Sequence, residues 1–342
     1  MSDPIDIKTK KILQNPKENK FDRALILESL EENIVENWSI WSKFQQEWCG
    51  RAFRTFRDYD KYLVLIYLIR QIFEKLALKF QYSSLEDFYS REEIIIEKIN
   101  LIQISNELNI PKETIRRKIN EFQSEGILKR TGKKIILSKS ILSLQKPVES
   151  INSLSRFIEK ESNIIFKDHN QKWFGDPLKF DQIKESIEKY FSVIWLRFFK
   201  LQIPFLIRHR DLFRDLETWN VWGVVAVHHQ AALMKMRKNS IIQHDINPKM
   251  YYKNVLEFKP SHGINASSIA DITNIPRATI IRKLKWLIKN GLIKKTKMAE
   301  YFISSKGKKN KIIQENMTLN QSLVVEFLTD VLDIMKNSEL KI

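Results

Sequence analysis

Ile104-Ser-Asn-Glu-Leu-Asn-Ile-Pro-Lys-Glu-Thr-Ile-Arg-Arg-Lys-Ile119 decides the reading of this chain, because the chain carries it twice. The second version, Ile269-Ala-Asp-Ile-Thr-Asn-Ile-Pro-Arg-Ala-Thr-Ile-Ile-Arg-Lys-Leu284, follows 165 positions later. Extended to Thr131 and Thr296, the two align over 28 positions without a gap, and eleven of these are identical. Self-similarity at a fixed offset marks two copies of one structural unit. A weaker echo lies upstream, where Phe21-Asp22 matches Phe180-Asp181 and Tyr59 to Gln71 matches Thr218 to Gln230. That offset is 159, so the second copy carries about six extra residues, which the polar stretch Arg237 to Pro248 accommodates.

Each copy has the punctuation of helix, tight turn, helix and hairpin. Leu101, Ile104 and Leu108 fall on one face of a short helix. Asn109 suits a left-handed helix end, and Pro111 suits the first turn of the next helix. From Lys112 to Ser124, Ile115, Ile119 and Phe122 form a stripe at helical spacing. Gly126 stops the helix, and a basic tip (Lys129, Arg130, Lys133, Lys134) leads into the strand Ile135–Leu137. The second copy repeats the plan: a helix from Ser267 to Thr273, the turn Asn274-Ile275-Pro276, and a helix from Arg277 to Lys289 with Ile280, Leu284 and Leu287 inward. Gly291 then precedes Lys294, Lys295 and Lys297 and the strand Tyr301–Ile303. This is the order of a winged helix-turn-helix. The expected fold is therefore mainly α, with two winged helix-turn-helix domains. Each has flanking helices and a small β-hairpin wing.

The boundaries read from this pattern are a polar segment 1–20, a first unit 21–140, a linker 141–179 and a second unit 180–342. Within them the helix-turn-helix segments are 101–125 and 266–290, the wings 127–138 and 292–304, and a C-terminal helix 318–337.

Thr114, Arg117 and Lys118 correspond to Thr279, Arg282 and Lys283, and their i, i+3, i+4 spacing puts them on one face opposite the apolar stripe. A recognition helix enters the major groove N-terminus first, so Lys112, Thr114 and Arg117 are the expected base-edge readers, and Arg277, Thr279 and Arg282 are the expected DNA-binding residues of the other copy. Arg116, Lys118, Lys283, Lys285 and the wing residues Lys129, Arg130, Lys133, Lys134, Lys294, Lys295 and Lys297 are expected on phosphates. Charge agrees. The formal net charge is +17, and residues 101–140 and 266–311 together hold +15 of it. Positive potential focused in this way suits a polyanion, here double-stranded DNA.

Elsewhere the sequence excludes more than it assigns. Its one cysteine, Cys49, cannot form an internal disulfide and fits a reducing compartment. Residues 1–20 lack the apolar core of a secretory signal. The longest apolar run, Tyr62 to Ile69, is far short of the roughly 20 residues a membrane span needs. The expectation is a cytoplasmic, nucleoid-associated protein. No phosphate loop, dinucleotide fingerprint, metal-ligand spacing or nucleophile elbow is present, so neither catalysis nor a cofactor is expected. His209, His228 and His229 read as partly buried histidines with ordinary hydrogen bonds. Trp38, Trp41, Trp48, Trp195, Trp219 and Trp222 read as packing between the repeats, with a small-molecule effector pocket as the other option.

With these motifs in hand, the chain resembles bacterial winged-helix transcriptional regulators of the MarR group over about 40 residues in each copy. Ile303-Ser-Ser-Lys-Gly307 after the second wing is similar to the strand end of many such modules. The resemblance implies a transcription regulator whose flanking helices form a dimer interface while two wings straddle the duplex. Here the two units are fused and the wing tips lack the group's aspartate–arginine pair. The fusion suggests one chain acting as a pseudo-dimer, or pairing as a homodimer. Tyr62–Leu78 and Val221–Met236 are apolar on most faces and would bury one another between the units. A plasmid-type replication initiator with tandem winged helices, and a protein that coats DNA nonspecifically, are the competing classes.

Overall fold

Asn100 and Asn265, one repeat apart, open equivalent helices in the same way. The Asn100 carboxamide oxygen accepts from the Ile102 and Gln103 amides, and that of Asn265 accepts from the Ser268 amide. Such caps satisfy amide groups that the first helical turn leaves without partners. In this computed structural model, which describes residues 21–79, 81–91, 93–96, 99–132, 134–138, 147–168, 177–238 and 248–339, local rules of this kind place most of the elements.

The chain is mainly helical with small antiparallel sheets. In order, the described elements are α1 (Arg23–Glu32), α2 (Ile34–Phe56), α3 (Tyr59–Leu78), α4 (Leu85–Ser90), β1 (Glu93–Ile96), α5 (Leu101–Leu108), α6 (Lys112–Ser124), β2 (Leu128–Thr131) and β3 (Lys134–Ser138). They continue with α7 (Pro147–Asp168), α8 (Phe180–Lys189), α9 (Phe191–Phe213), α10 (Leu216–Lys238), α11 (Pro248–Glu257), β4 (Ile264–Asn265), α12 (Ala266–Thr273), α13 (Arg277–Lys289), β5 (Ile293–Lys295), β6 (Glu300–Ile303) and α14 (Asn310–Glu339). The two sheets have the orders β1-β3-β2 and β4-β6-β5. Registers such as Ile94↔Leu137 and Ile293↔Ile303 turn alternate side chains inward.

Two compact units form, and each draws on both sequence copies. One consists of the described parts of 1–26, 60–204 and 324–342; the other of 27–59 and 205–323. In the first unit, α3 and α4 pack against α8 and the first half of α9: Phe73 lies 5.8 Å and Phe88 5.5 Å from Phe191 between ring centroids. The Ser83 amide donates to Ser192 Oγ, and the Ser192 amide donates back to the Ser83 carbonyl. In the second unit, α2 lies along α10. Trp41 meets Phe205 edge-on at 5.3 Å, and Asn220 Nδ2 donates to the Tyr59 hydroxyl at 2.8 Å. The sequential units 21–140 and 180–342 are thus interleaved in space.

Three further differences from the sequence reading have plain causes. Within the expected linker 141–179, Pro147–Asp168 is a 22-residue helix, because Ile151, Leu154, Phe157, Ile158, Ile164 and Ile165 give it an apolar stripe that is buried. The C-terminal helix begins at Asn310, eight residues before its expected start at 318, and Asn310 Nδ2 donates to the Ser304 carbonyl. Each sheet also has a third strand, β1 or β4, that lies before the helix-turn-helix and pairs with the second strand of the hairpin. The segment 1–20, residues 139–146 and 169–176 of the linker region, and Lys133 lie outside the described residues.

Among the described residues no single helix is long and apolar enough to cross a membrane. Helices α8 and α9 pass together on length and composition but meet at 101°. Tyr62 to Ile69 on α3 are buried without a break, which explains the longest apolar run as core.

Candidate nucleic-acid interface

The turn between α5 and α6 is built by its own sequence. Asn109 sits in the left-handed region at φ 51°, its amide donating to the Ser105 carbonyl, and Ser105 Oγ donates back to the Ile110 carbonyl at 2.6 Å. Pro111, at φ −53°, then launches α6. In the other copy Asn274 takes φ 58° and Pro276 the same φ −53°, with Thr273 Oγ1 accepting from the Ile275 amide. Ile115, Ile119 and Phe122 of α6, and Ile280, Leu284 and Leu287 of α13, are buried as the periodicity predicts. Gly126 (φ 68°) and Gly291 (φ 67°) end both helices in a conformation that favours glycine.

The outward faces follow. Lys112, Arg116 and Arg117 on α6 are exposed and Thr114 is half-buried; on α13, Arg277, Arg282 and Lys285 are exposed and Thr279 is half-buried. Lys129, Arg130 and Lys134 on the first hairpin, and Lys294, Lys295 and Lys297 on the second, are also exposed. Each hairpin follows its helix directly, so exposed basic residues lie on both the helix and the hairpin of each copy. Arg130 Nε donates to the Gly132 carbonyl, and the Lys294 and Lys295 ammonium groups lie over the Phe302 and Tyr301 rings. Arg277 Nε donates to Ser267 Oγ at 3.2 Å, tying the start of α13 to α12.

Lys118 and Lys283 are the correction. Lys118 is only 5% exposed, and its Nζ donates to both Glu121 carboxylate oxygens at 3.0 and 3.1 Å. The Lys283 side chain is 12% exposed, with Nζ 2.6 Å from Asp215 Oδ2 and 3.9 Å from Glu217 Oε2. At i+4 from Thr114 or Thr279, each lysine sits on the shoulder of the helix, where its aliphatic stem is covered and its ammonium is held inside the unit. Lys118 is thus held by its own helix and Lys283 by the start of α10, and neither faces outward for a phosphate.

The Lys283 pairing perturbs its neighbours. Asp215 caps α10 by accepting from Thr218 N and Oγ1 at 2.7 and 2.6 Å. Burial works against its charge, but the hydrogen bonds from Lys283 and Thr218 outweigh it and hold the carboxyl below the usual range. Burial, followed by the nearby Asp215 charge, pushes Glu217 up to about 7. In the first copy a different lysine serves the end of the helix: Lys61 on α3 donates to Glu125 at 2.6 Å and lies over the Phe122 ring.

His209, His229 and the tryptophans sit in packed surroundings, whereas His228, expected to be partly buried, is on the surface. His209 Nδ1 is 2.7 Å from the Phe205 carbonyl, and burial pushes its pKa down to about 4. His229 Nε2 is 2.8 Å from the Val255 carbonyl, while His228 is exposed. Trp38 and Trp222 border two small cavities of about 90 and 70 Å³ in the second unit, and neither indole N–H has a hydrogen-bond partner among the described residues. Among the described residues no three His, Cys, Asp or Glu side chains converge as a metal site would require. Neither a family model, nor a curated protein, nor a solved structure matches the chain, so the reading of this surface rests on its own geometry.

Proposed function

We propose that the chain is a sequence-specific double-stranded DNA-binding protein that acts as a transcription regulator. In this reading each unit carries a winged helix-turn-helix, α6 and α13 enter successive major grooves, and the basic hairpins lie on the phosphate backbone. The chain then works as an internal pseudo-dimer on one pseudo-palindromic site.

One observation carries the reading. At equivalent positions of α6 and α13 an arginine is exposed (Arg117, Arg282) next to a half-buried threonine (Thr114, Thr279). The lysine that follows each arginine is turned in and paired, Lys118 buried and Lys283 half-buried. Ordinary solvation asks for charge anywhere on an outer face; it does not ask for the same arginine to be kept outward twice while its neighbour turns in. An arginine near the start of a groove-reading helix suits bidentate contact with guanine O6 and N7.

Selection from random duplex DNA, followed by gel shift on the recovered site, tests this. Arg117→Ala and Arg282→Ala are each expected to weaken specific binding by about 1–3 kcal/mol and to relax preference in one half-site. A double variant that binds its site as the parent does would remove α6 and α13 from the interface. Recovery of direct repeats in place of one inverted site would assign the chain to replication initiation.

A further inference from the structure

The two exposed faces are built differently. On α6 the arginines have carboxylates beside them: Arg116 Nη1 is 2.8 Å from Glu113 Oε2, and Arg117 Nε is 3.7 Å from Glu121 Oε1. At the positions equivalent to Glu113 and Glu121, α13 has Ala278 and Trp286, and it contains no acidic residue at all. Where α6 has Asn120 and Ser124, α13 has Lys285 and Lys289. Arg282, Lys285 and Lys289 are spaced i, i+3, i+7 and therefore share a face. All three are exposed, and none has an ion-pair partner among the described residues.

This basic face is extended by the segment after β6. Gly307 packs against the end of α13 so closely that a Cβ there would lie 3.0 Å from the Gly291 carbonyl oxygen and 3.1 Å from that of Asn290. Its neighbours Lys306 and Lys308 are exposed, as is Lys311 in the first turn of α14. Lys309 between them is used internally, donating to the Leu212 carbonyl and lying over Trp286.

We infer that the two units divide the work of holding a duplex. The second grips the sugar–phosphate backbone, through Lys285, Lys289, Lys306 and Lys308, and supplies most of the sequence-independent affinity. The first, with Arg116 paired to Glu113 and Glu121 lying 3.7 Å from Arg117, adds less affinity until a matching sequence draws those arginines away. The asymmetry makes binding ordered: the second unit loads on any duplex before the first tests its own half-site. The inference rests on the DNA-binding reading above and concerns how the two faces share it.

The test is the salt dependence of full-length protein on a nonspecific duplex and on its selected site. Each phosphate neutralised contributes about 0.9 to the slope of log affinity against log salt. Lys285→Asn with Lys289→Ser gives the second unit the residues the first already has; this variant should lower the slope by about two while leaving the preference for the selected site within about twofold. Arg116→Ala with Arg117→Ala should change the slope by less than about one, yet reduce the preference for the site at least about tenfold. Glu113→Ala, at an exposed position, should tighten nonspecific binding. Equal slope losses from the two double variants would overturn the division of labour and leave the DNA-binding reading standing. A parent protein with no salt-dependent affinity for any duplex would overturn both. Thermal unfolding of each variant separates these outcomes from loss of fold.

Discussion

At the scale of single residues, the lysine following each exposed arginine shows how far a helical wheel can be trusted. Lys118 and Lys283 share a helical-wheel face with Thr114 and Thr279, yet Lys118 is buried, Lys283 is half-buried, and both are paired. A wheel places Cα atoms, whereas a lysine stem of four methylenes lets the charge travel several ångströms back toward the protein. The partner of Lys283 could not be found locally, because Asp215 is 68 positions away. The same cluster has a consequence for stability. Glu217, with its folded pKa raised to about 7 from 4.5, holds its proton more tightly in the folded than in the unfolded chain. Its contribution is therefore fully present below about pH 4.5 and lost as pH rises through about 7. Asp215 is shifted the other way, below its usual 3.8, and its contribution stays intact across that window. Glu217→Gln cannot ionise, so its stability relative to the parent should improve by about 1–3 kcal/mol between pH 4 and pH 8. Urea denaturation at the two pH values measures it. A difference that stays flat with pH would show that Glu217 keeps an ordinary carboxyl.

At the scale of elements, what was legible in sequence is what local chemistry decides. The bounds of α6 and α13 follow from Pro111 and Pro276 at one end and Gly126 and Gly291 at the other. The exposed arginines followed from repetition, because two copies separate a kept position from an incidental one. The strands β1 and β4 were missed: a run such as Glu93–Ile96 has no partner in sequence until β3, some forty residues on, is folded beside it. The two terminating glycines, so alike in sequence, also differ in surroundings. A Cβ at Gly126 would meet nothing within 4 Å, whereas at Gly291 it would lie 3.1 Å from Gly307 Cα. Gly126→Ala should thus cost only the left-handed backbone strain, about 1–2 kcal/mol. Gly291→Ala should cost measurably more in chemical denaturation, because backbone rather than a mobile side chain must yield. Equal costs would mean that the segment around Gly307 shifts freely.

At the scale of the whole molecule, the interleaving of the copies was not legible because it lives in contacts between residues far apart in sequence. The repeat reads as two units in series, yet α2 belongs with α10, and α3 and α4 belong with α8 and the start of α9. Helices α9 and α14 each contribute to both compact units. A duplicated chain gains from this arrangement. Each compact unit takes its core from both copies, so the two basic surfaces are expected to form together. The two reciprocal Ser83–Ser192 hydrogen bonds and the Phe73–Phe191 ring contact would be lost from a fragment holding only the first copy. The Trp41–Phe205 contact and the Asn220–Tyr59 hydrogen bond would be lost from one holding only the second. Each loss uncovers large aromatic side chains, for which about 2–5 kcal/mol per residue is a fair measure, against a total stability of only about 5–15 kcal/mol. Fragments 1–174 and 175–342 should therefore each lack a cooperative thermal transition, and mixing them in equal amounts should restore one. Circular dichroism on the separate and mixed fragments makes the comparison. Cooperative melting of either fragment alone, near the temperature of the intact chain, would mean that one copy closes its own core and that the exchange of helices is dispensable.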